Sequence, residues 1–347
     1  MKNTPLKIVI AGTLLVSFVG CGGASTSGSA VDPQASSSAE VALTDSSVEN
    51  STSSGVDAVG MALEENTDVE SSTSALRLGA RGCTDSDVNL TKTITCDDSN
   101  HTATILRDFG TGCFTSNDSS NGVGVTITGK HLTQWTNMGN ASCRAADKAP
   151  IFWQAVQGQG TSNLAQRVFS TDPDHITSPV TAIVRQNGNG TSIKVMGYAV
   201  SVYSNATQSG ESKSVHEQLT IPGTSRIRYK HDGVTKLFDH TVSTEVPLEI
   251  DLQKTDDQEP VRTVVSGTIA VSHNLAQFTV HTTFNNVRYD YNECECHPVS
   301  GTINLSVTNN ATSAQMGSGS ITFTGCETSN MTYEGRTLRL PVLDNCR

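Results

Sequence analysis

Residues 277–289 read QFTVHTTFNNVRY, with Phe278, Val280 and Phe284 on alternate positions and Thr279, His281 and Thr283 between them. Successive side chains of an extended strand point to opposite faces, so this stretch presents one apolar and one polar face. The same period of two recurs at 88–96 (VNLTKTITC), 122–128 (GVGVTIT), 192–203 (SIKVMGYAVSVY), 246–252 (VPLEIDL), 264–272, 302–308 and 320–324. Thr and Val are frequent in these segments, as half-buried antiparallel strands require.

Turn residues fall between the strands. His231-Asp232-Gly233 separates RIRYK (226–230) from VTKLF (234–238), and Asn187-Gly188-Asn189-Gly190 separates TAIVRQ from TSIKVMGY. Asp-Gly and Asn-Gly pairs supply the positive φ of tight hairpins, so neighbours along the chain are expected to pair. Helix is scarce, with 149–157 (APIFWQAVQ) the fairest candidate. The expected fold is all-β: one elongated antiparallel sheet, a sandwich or an open barrel, covering 76–347 and stapled by disulfides. Two subdomains parting near 157–179 are the alternative.

The segment before this domain has another character. Lys2 and Lys7 precede an apolar run at 8–19 (IVIAGTLLVSFV), shorter than the about 20 residues a spanning helix needs. This is the pattern of a secretory signal occupying 1–20. Phe18-Val19-Gly20-Cys21 resembles a bacterial lipobox, in which a small residue precedes a cysteine that is diacylated. The resemblance implies lipidation at Cys21, a membrane partner bound through that N-terminal lipid, and, from Gly22 in place of Asp, an outer-membrane destination facing either the surface or the periplasm. Phe18 departs from the usual Leu. A thiolate is the side chain readily converted to a thioether, and several acyl chains together anchor firmly where one binds only marginally.

Residues 22–75 contain no aromatic residue, cysteine, Lys or Arg, but nine acidic residues set among runs of Ser and Thr. Such a composition implies a disordered tether, including 56–65, where one or two helical turns would be too short to persist in water. Of the net charge of −11, the signal lysines and this tether leave only −4 beyond residue 75. No basic field remains to recruit nucleic acid.

Eight further cysteines lie at Cys83, Cys96, Cys113, Cys143, Cys294, Cys296, Cys326 and Cys346, in two groups of four. An even number in an exported chain points to disulfides within each group. Cys294 and Cys296 share a face if extended, so each is expected to reach Cys326 or Cys346. Cys294-Glu295-Cys296-His297 offers zinc-type ligands but lacks a second close pair, so no metal is expected.

Catalytic motifs are missing from the sequence: neither a G-x-S-x-G turn nor a phosphate-binding loop occurs, and no cofactor is called for. His216-Glu217 lacks the second histidine of a metalloprotease helix and reads as a solvent-facing pair on a strand. Asn117 to Gly122 (NDSSNG) reads as a polar turn, since Thr128 stands where a calcium loop needs Glu. Asp172, Asp174 and His175 in a Pro-bounded loop are the least implausible ligand contacts. Arg226, Arg228 and Lys230 share one strand face, read as solvent-facing, with an acidic-ligand stripe as the alternative.

Two stretches resemble parts of uncharacterised β-rich lipoproteins of Gram-negative bacteria. They are 104–113 (TILRDFGTGC) and 296–303 (CHPVSGTI), the latter followed by a Gly/Ser turn and ITFTGC. The resemblance implies fold and location rather than activity. The expected function is a noncatalytic structural, adhesive or binding role in the envelope. One alternative is a periplasmic carrier, which requires an internal cavity for an apolar ligand; another is a hydrolase whose His, Asp and Ser converge from distant strands.

Overall fold

The computed structural model describes residues 42–64, 91–97, 99, 102–110, 113–116, 124–128, 130–136, 165–170, 183–187, 191–255, 258–294, 297–326 and 328–339. They form a helix, α1 (Asp45–Glu64), and sixteen strands. These are β1 (Thr91–Asp97), β2 (Thr102–Asp108), β3 (Cys113–Ser116), β4 (Gly124–Thr128), β5 (Lys130–Thr136), β6 (Ala165–Ser170), β7 (Ile183–Asn187) and β8 (Ser192–Ser209). They continue as β9 (Ser212–Tyr229), β10 (Lys236–Thr255), β11 (Val261–His273), β12 (Phe278–Asp290), β13 (Ser300–Asn309), β14 (Gln315–Gly325), β15 (Thr328–Tyr333) and β16 (Arg336–Leu338). Every stretch of alternating polarity in the sequence overlaps one of these strands.

All strands belong to one antiparallel sheet, open between β1 and β16. From β8 to β16 each strand pairs with its successor in the chain, as the hairpin signals imply. Before β8 the order runs β1-β2-β5-β6-β8, while β3, β4 and β7 branch off and rejoin at β8. The stretch considered for a subdomain break contains β6, which pairs with β5 and β8 inside the same sheet. At the Asp-Gly turn, Gly233 has φ 68° and donates its amide to the Lys230 carbonyl, closing the β9–β10 hairpin.

Burial alternates along the strands. On β12, Phe278, Val280, Thr282 and Phe284 are buried, and the buried phase then jumps to Val287 and Tyr289. The jump is a bulge: two residues of β12, Asn286 and Val287, stand opposite Gly301 of β13, with Asn286 at φ 50°. Only glycine fits at 301, at φ 106°, because a Cβ there would lie 2.3 Å from the Asn286 carbonyl oxygen. A second irregularity separates the paired halves of β9 and β10, where Pro222 and Pro247 interrupt both ladders. Prolines within long strands are accommodated at such breaks. Here Thr244 restores pairing by accepting the Ile221 amide and donating to the Ile221 carbonyl at 3.0 Å.

The buried residues of β8–β15 converge in one apolar cluster that also holds Val48, Val56, Ala58 and Val59 of α1. The helix contacts β10, β11 and β12, and its first turn reaches Arg336 on β16. Laid flat, β9 to β16 would span roughly 34 Å at strand spacing. Yet Arg226 on β9 and Arg336 on β16 both bond to α1, at Asp57 and Asp45, positions about 18 Å apart along the helix axis. Because residues 51–60 are buried on all sides of the helix, the sheet curls around it.

This corrects the expectation of a disordered tether for 45–64. Residues 51–60 are buried without exception, although the helix contains five serines, two glycines and three valines. Such a sequence has weak intrinsic helicity, so tertiary burial must hold it. Small side chains are what the confined space admits: a Cβ on Gly55 would meet Ile269 Cδ1 at 3.0 Å and Val271 Cγ2 at 3.1 Å. The start is capped reciprocally, with the Ser47 amide donating to Thr44 Oγ1 and the Thr44 amide to Ser47 Oγ.

Cys294, after β12, is bonded to Cys326 at the end of β14, with Cα atoms 5.2 Å apart. This is one of the two pairings expected for Cys294, and it removes that sulfur from any zinc set. Closing a loop of 32 residues contributes roughly 3–4 kcal/mol on the chain-entropy account. Cys96 lies in β1 and Cys113 in β3. Cys21, Cys83, Cys143, Cys296 and Cys346 lie outside the described residues, as do 117–122 and 149–157.

Candidate functional site

One row of residues crosses the interior face of four strands. Arg226 on β9 stands opposite His240 on β10, His240 opposite His273 on β11, and His273 opposite Phe278 on β12. All four are essentially without solvent exposure. Phe238 stacks on His240 at 4.3 Å, and the His273 ring meets His240 edge-on at 4.7 Å. Helix α1 docks here.

Asp57 Oδ2 accepts from Arg226 Nη2 at 3.0 Å, with both side chains 1% exposed. Ser54 Oγ lies 2.8 Å from His240 Nδ1, and Ser51 Oγ lies 3.4 Å from Nε2. Positions 51, 54 and 57 share one helix face at a spacing of three, which aims them at one row of the sheet. Burial drives the His240 pKa well below its ordinary 6.5, with the charges of His273 and Arg226 adding to the effect. His240 is accordingly a neutral imidazole whose two nitrogens both meet serine hydroxyls.

A Ser-His contact suggests a nucleophile and its base, yet this one lacks what catalysis requires. Both ring nitrogens are occupied by serines and the ring is sealed from solvent, so no substrate carbonyl reaches Ser51 or Ser54. Its chemistry is that of a lock holding a helix. The space that a carrier would offer an apolar ligand is filled along 51–60 by α1 itself.

Sequence reasoning took Arg226, Arg228 and Lys230 for a solvent-facing stripe. Arg226 instead faces inward and meets the carboxylate of Asp57. Glu217 also departs from the expected solvent-facing pair: it is fully buried and accepts from the Tyr203 hydroxyl at 3.3 Å. Its neighbour His216 does face outward, between Glu249 at 2.7 Å and Asp251 at 3.0 Å. Partial burial would lower the His216 pKa, but hydrogen bonds and charge from Asp251 and Glu249 outweigh it and raise it. His281 makes a similar outer-face pair with Glu245 at 2.8 Å. Asp172, Asp174 and His175 lie outside the described residues.

Where α1 begins, an open groove of about 490 Å³ is lined by Leu43, Thr44, Asp45, Met316, Tyr333 and Arg336, among others. Among the described residues no three His, Cys, Asp or Glu are grouped to hold a metal ion. The architecture is thus an open, curled antiparallel sheet closed on its own N-proximal helix. No family model, curated protein or solved structure matches the chain.

Two outcomes are expected. Asp57→Asn removes the charge that Arg226 meets in the interior and should cost about 3–5 kcal/mol in urea unfolding, while Asp57→Leu with Arg226→Met should recover most of it. Equal loss in the single and double variants would contradict the pairing. Because the native pKa of His240 is depressed, its contribution is complete above pH 6.5 and is lost as pH falls from 6.5 toward that lowered value. One such group lowers stability by at most about 1.4 kcal/mol per pH unit. His216, raised, acts in the opposite window above 6.5. Urea midpoints should therefore drop from pH 6.5 to 5 in the wild type and less steeply in His240→Gln; identical profiles would contradict the assignment.

Proposed function

We propose that this chain is a lipid-anchored outer-membrane module with a noncatalytic structural or adhesive role, presenting the outer face of a sheet that fills its own interior. The observation that carries the reading is the burial of α1 along 51–60, which occupies the space a ligand or substrate would need. Both interior histidines described above are committed to packing and to the helix, which counts against the hydrolase alternative. The outer face carries cross-strand hydroxyl pairs such as Thr268–Thr283 and Ser272–Thr279, together with the His216 and His281 ion pairs. That is a rigid polar surface fit for contact rather than turnover.

The membrane side of the proposal rests on the signal-like N-terminus and Cys21. For the carrier alternative, the groove beside the start of α1 offers an apolar rim of Leu43, Met316 and Tyr333.

Detergent phase separation of cell extracts tests the anchor, and solvent extraction of the purified domain tests the carrier alternative. The wild type should enter the detergent phase and Cys21→Ser the aqueous phase, with no stoichiometric lipid extracted from the aqueous protein. Cys21→Ser remaining in the detergent phase would overturn the anchor, and one lipid per chain would overturn the self-filled reading in favour of a carrier.

A further inference from the structure

Strands β9 and β10 carry ionisable groups on both faces of the sheet, and the two faces are composed differently. On the inner face His240 of β10 meets Arg226 of β9, His273 of β11 and the Ser51 and Ser54 hydroxyls of α1. The helix also brings the Asp57 carboxylate, bonded to Arg226, and all of these side chains are sealed from water. Asp239, next along β10, is held by Lys236 and by Asn274 at 2.8 Å. On the outer face carboxylates surround the imidazole: His216 of β9, opposite Ser204 of β8, lies 2.7 Å from Glu249 and 3.0 Å from Asp251 of β10. His281 of β12 reaches past β11 to Glu245 of β10 at 2.8 Å, its other nitrogen 2.8 Å from Thr308 of β13.

A proton is therefore costly to add inside and favourable to add outside. Burial and the charges of His273 and Arg226 hold the His240 pKa well below 6.5. Hydrogen bonds and charge from Asp251 and Glu249 outweigh partial burial and raise that of His216. Serine hydroxyls accept as well as donate, so the cost at His240 lies in the charge and not in its hydrogen bonds. Undocking α1 is the shortest route to water for that charge, because the helix is held through its side chains while β9, β10 and β11 stay joined by their ladders. The outer pairs join strand to strand and involve no helix residue, so they outlast the helix and are lost only when the sheet unfolds.

We propose that α1 is an acid-released strap: protons taken up on the inner face free the helix, while those taken up on the outer face hold the sheet together. Release uncovers the concave face at Ile269, Val271 and Thr282, against which Gly55 now packs. The depressed group costs stability as pH falls below 6.5, and the raised group adds stability as pH falls toward 6.5 from above. Opening of α1 alone feels only the first effect; opening of the strands feels both, with opposite signs. Helix and strands that open together at pH 7 are thus separated by acid. The switch goes beyond the envelope role proposed above and stands whether or not Cys21 carries lipid.

Native-state hydrogen exchange of the intact chain across pH 7 to 5, corrected for the pH dependence of the exchange chemistry, reads both openings. The opening constant of 51–60 should be flat above pH 6.5 and rise below it by at most tenfold per unit, about thirtyfold by pH 5. The amides of β9 to β11 should rise less. His240→Gln, which still bonds serines but takes no proton, should remove the rise of 51–60. His216→Gln, on the outer face, should let the strands rise with the helix. The wild-type profile tests the proposal even where a variant fails to fold. Constants of 51–60 that stay flat down to pH 5, that rise equally in His240→Gln, or that rise no faster than those of the wild-type strands would overturn it.

Discussion

The Asp57–Arg226 bond, 3.0 Å long and shut away from water at both ends, fixes how the rest of this structure is arranged. A buried ion pair adds little net stability, because desolvation consumes most of its Coulomb energy. Leaving either partner alone inside is costly, however, so the pair specifies one seating of α1 and penalises others. With Asp57 seated, Ser54 and Ser51 fall on His240, Gly55 falls on Ile269 and Val271, and Asp45 reaches Arg336 across the curl. The valines of the helix then complete an apolar cluster to which eight strands contribute.

The sheet is shaped for this occupant. Long strands β8 to β10 would present flat, continuous faces if regular, but the irregularity around Pro222 and Pro247 breaks two of them in mid-course. The bulge at Asn286 and Gly301 re-phases β12, so that Val287 and Tyr289 point inward where strict alternation from Phe284 would have turned them out. Bulges of this kind increase local twist and bend the bulged strand. An open sheet that curls leaves its concave face to be covered, and here a segment of the same chain covers it. An isolated helix of Ser, Gly and Val would not persist in water; its order is borrowed from the strands around it.

Much of this was legible in the sequence, and for a local reason. Alternating polarity and Asp-Gly or Asn-Gly turns report on neighbours in the chain, and from β9 onward the sheet pairs neighbours only. The Cys294–Cys326 bond was among the pairings that spacing allowed. The helix was hidden because a Ser-rich acidic stretch is ordinarily too poor in apolar area to order itself. What stabilises this one is a partner more than 150 residues away, which composition does not register. The signals in 44–59 were faint but present: a Thr at the cap, and Val48, Val56 and Val59 on one helical face. Arg226 was misjudged for a related reason. The alternation put Arg226 and Arg228 correctly on a common face, but only the position of Asp57 tells which face is inside.

Native-state hydrogen exchange, followed amide by amide in the intact chain, tests most directly whether the helix is part of the core. The amides of 51–60 should be protected to the same degree as those of β11 and β12, since opening the helix uncovers the same cluster. Exchange of 51–60 at the rate of an unstructured peptide, with β11 and β12 still protected, would contradict it and return that segment to the tether.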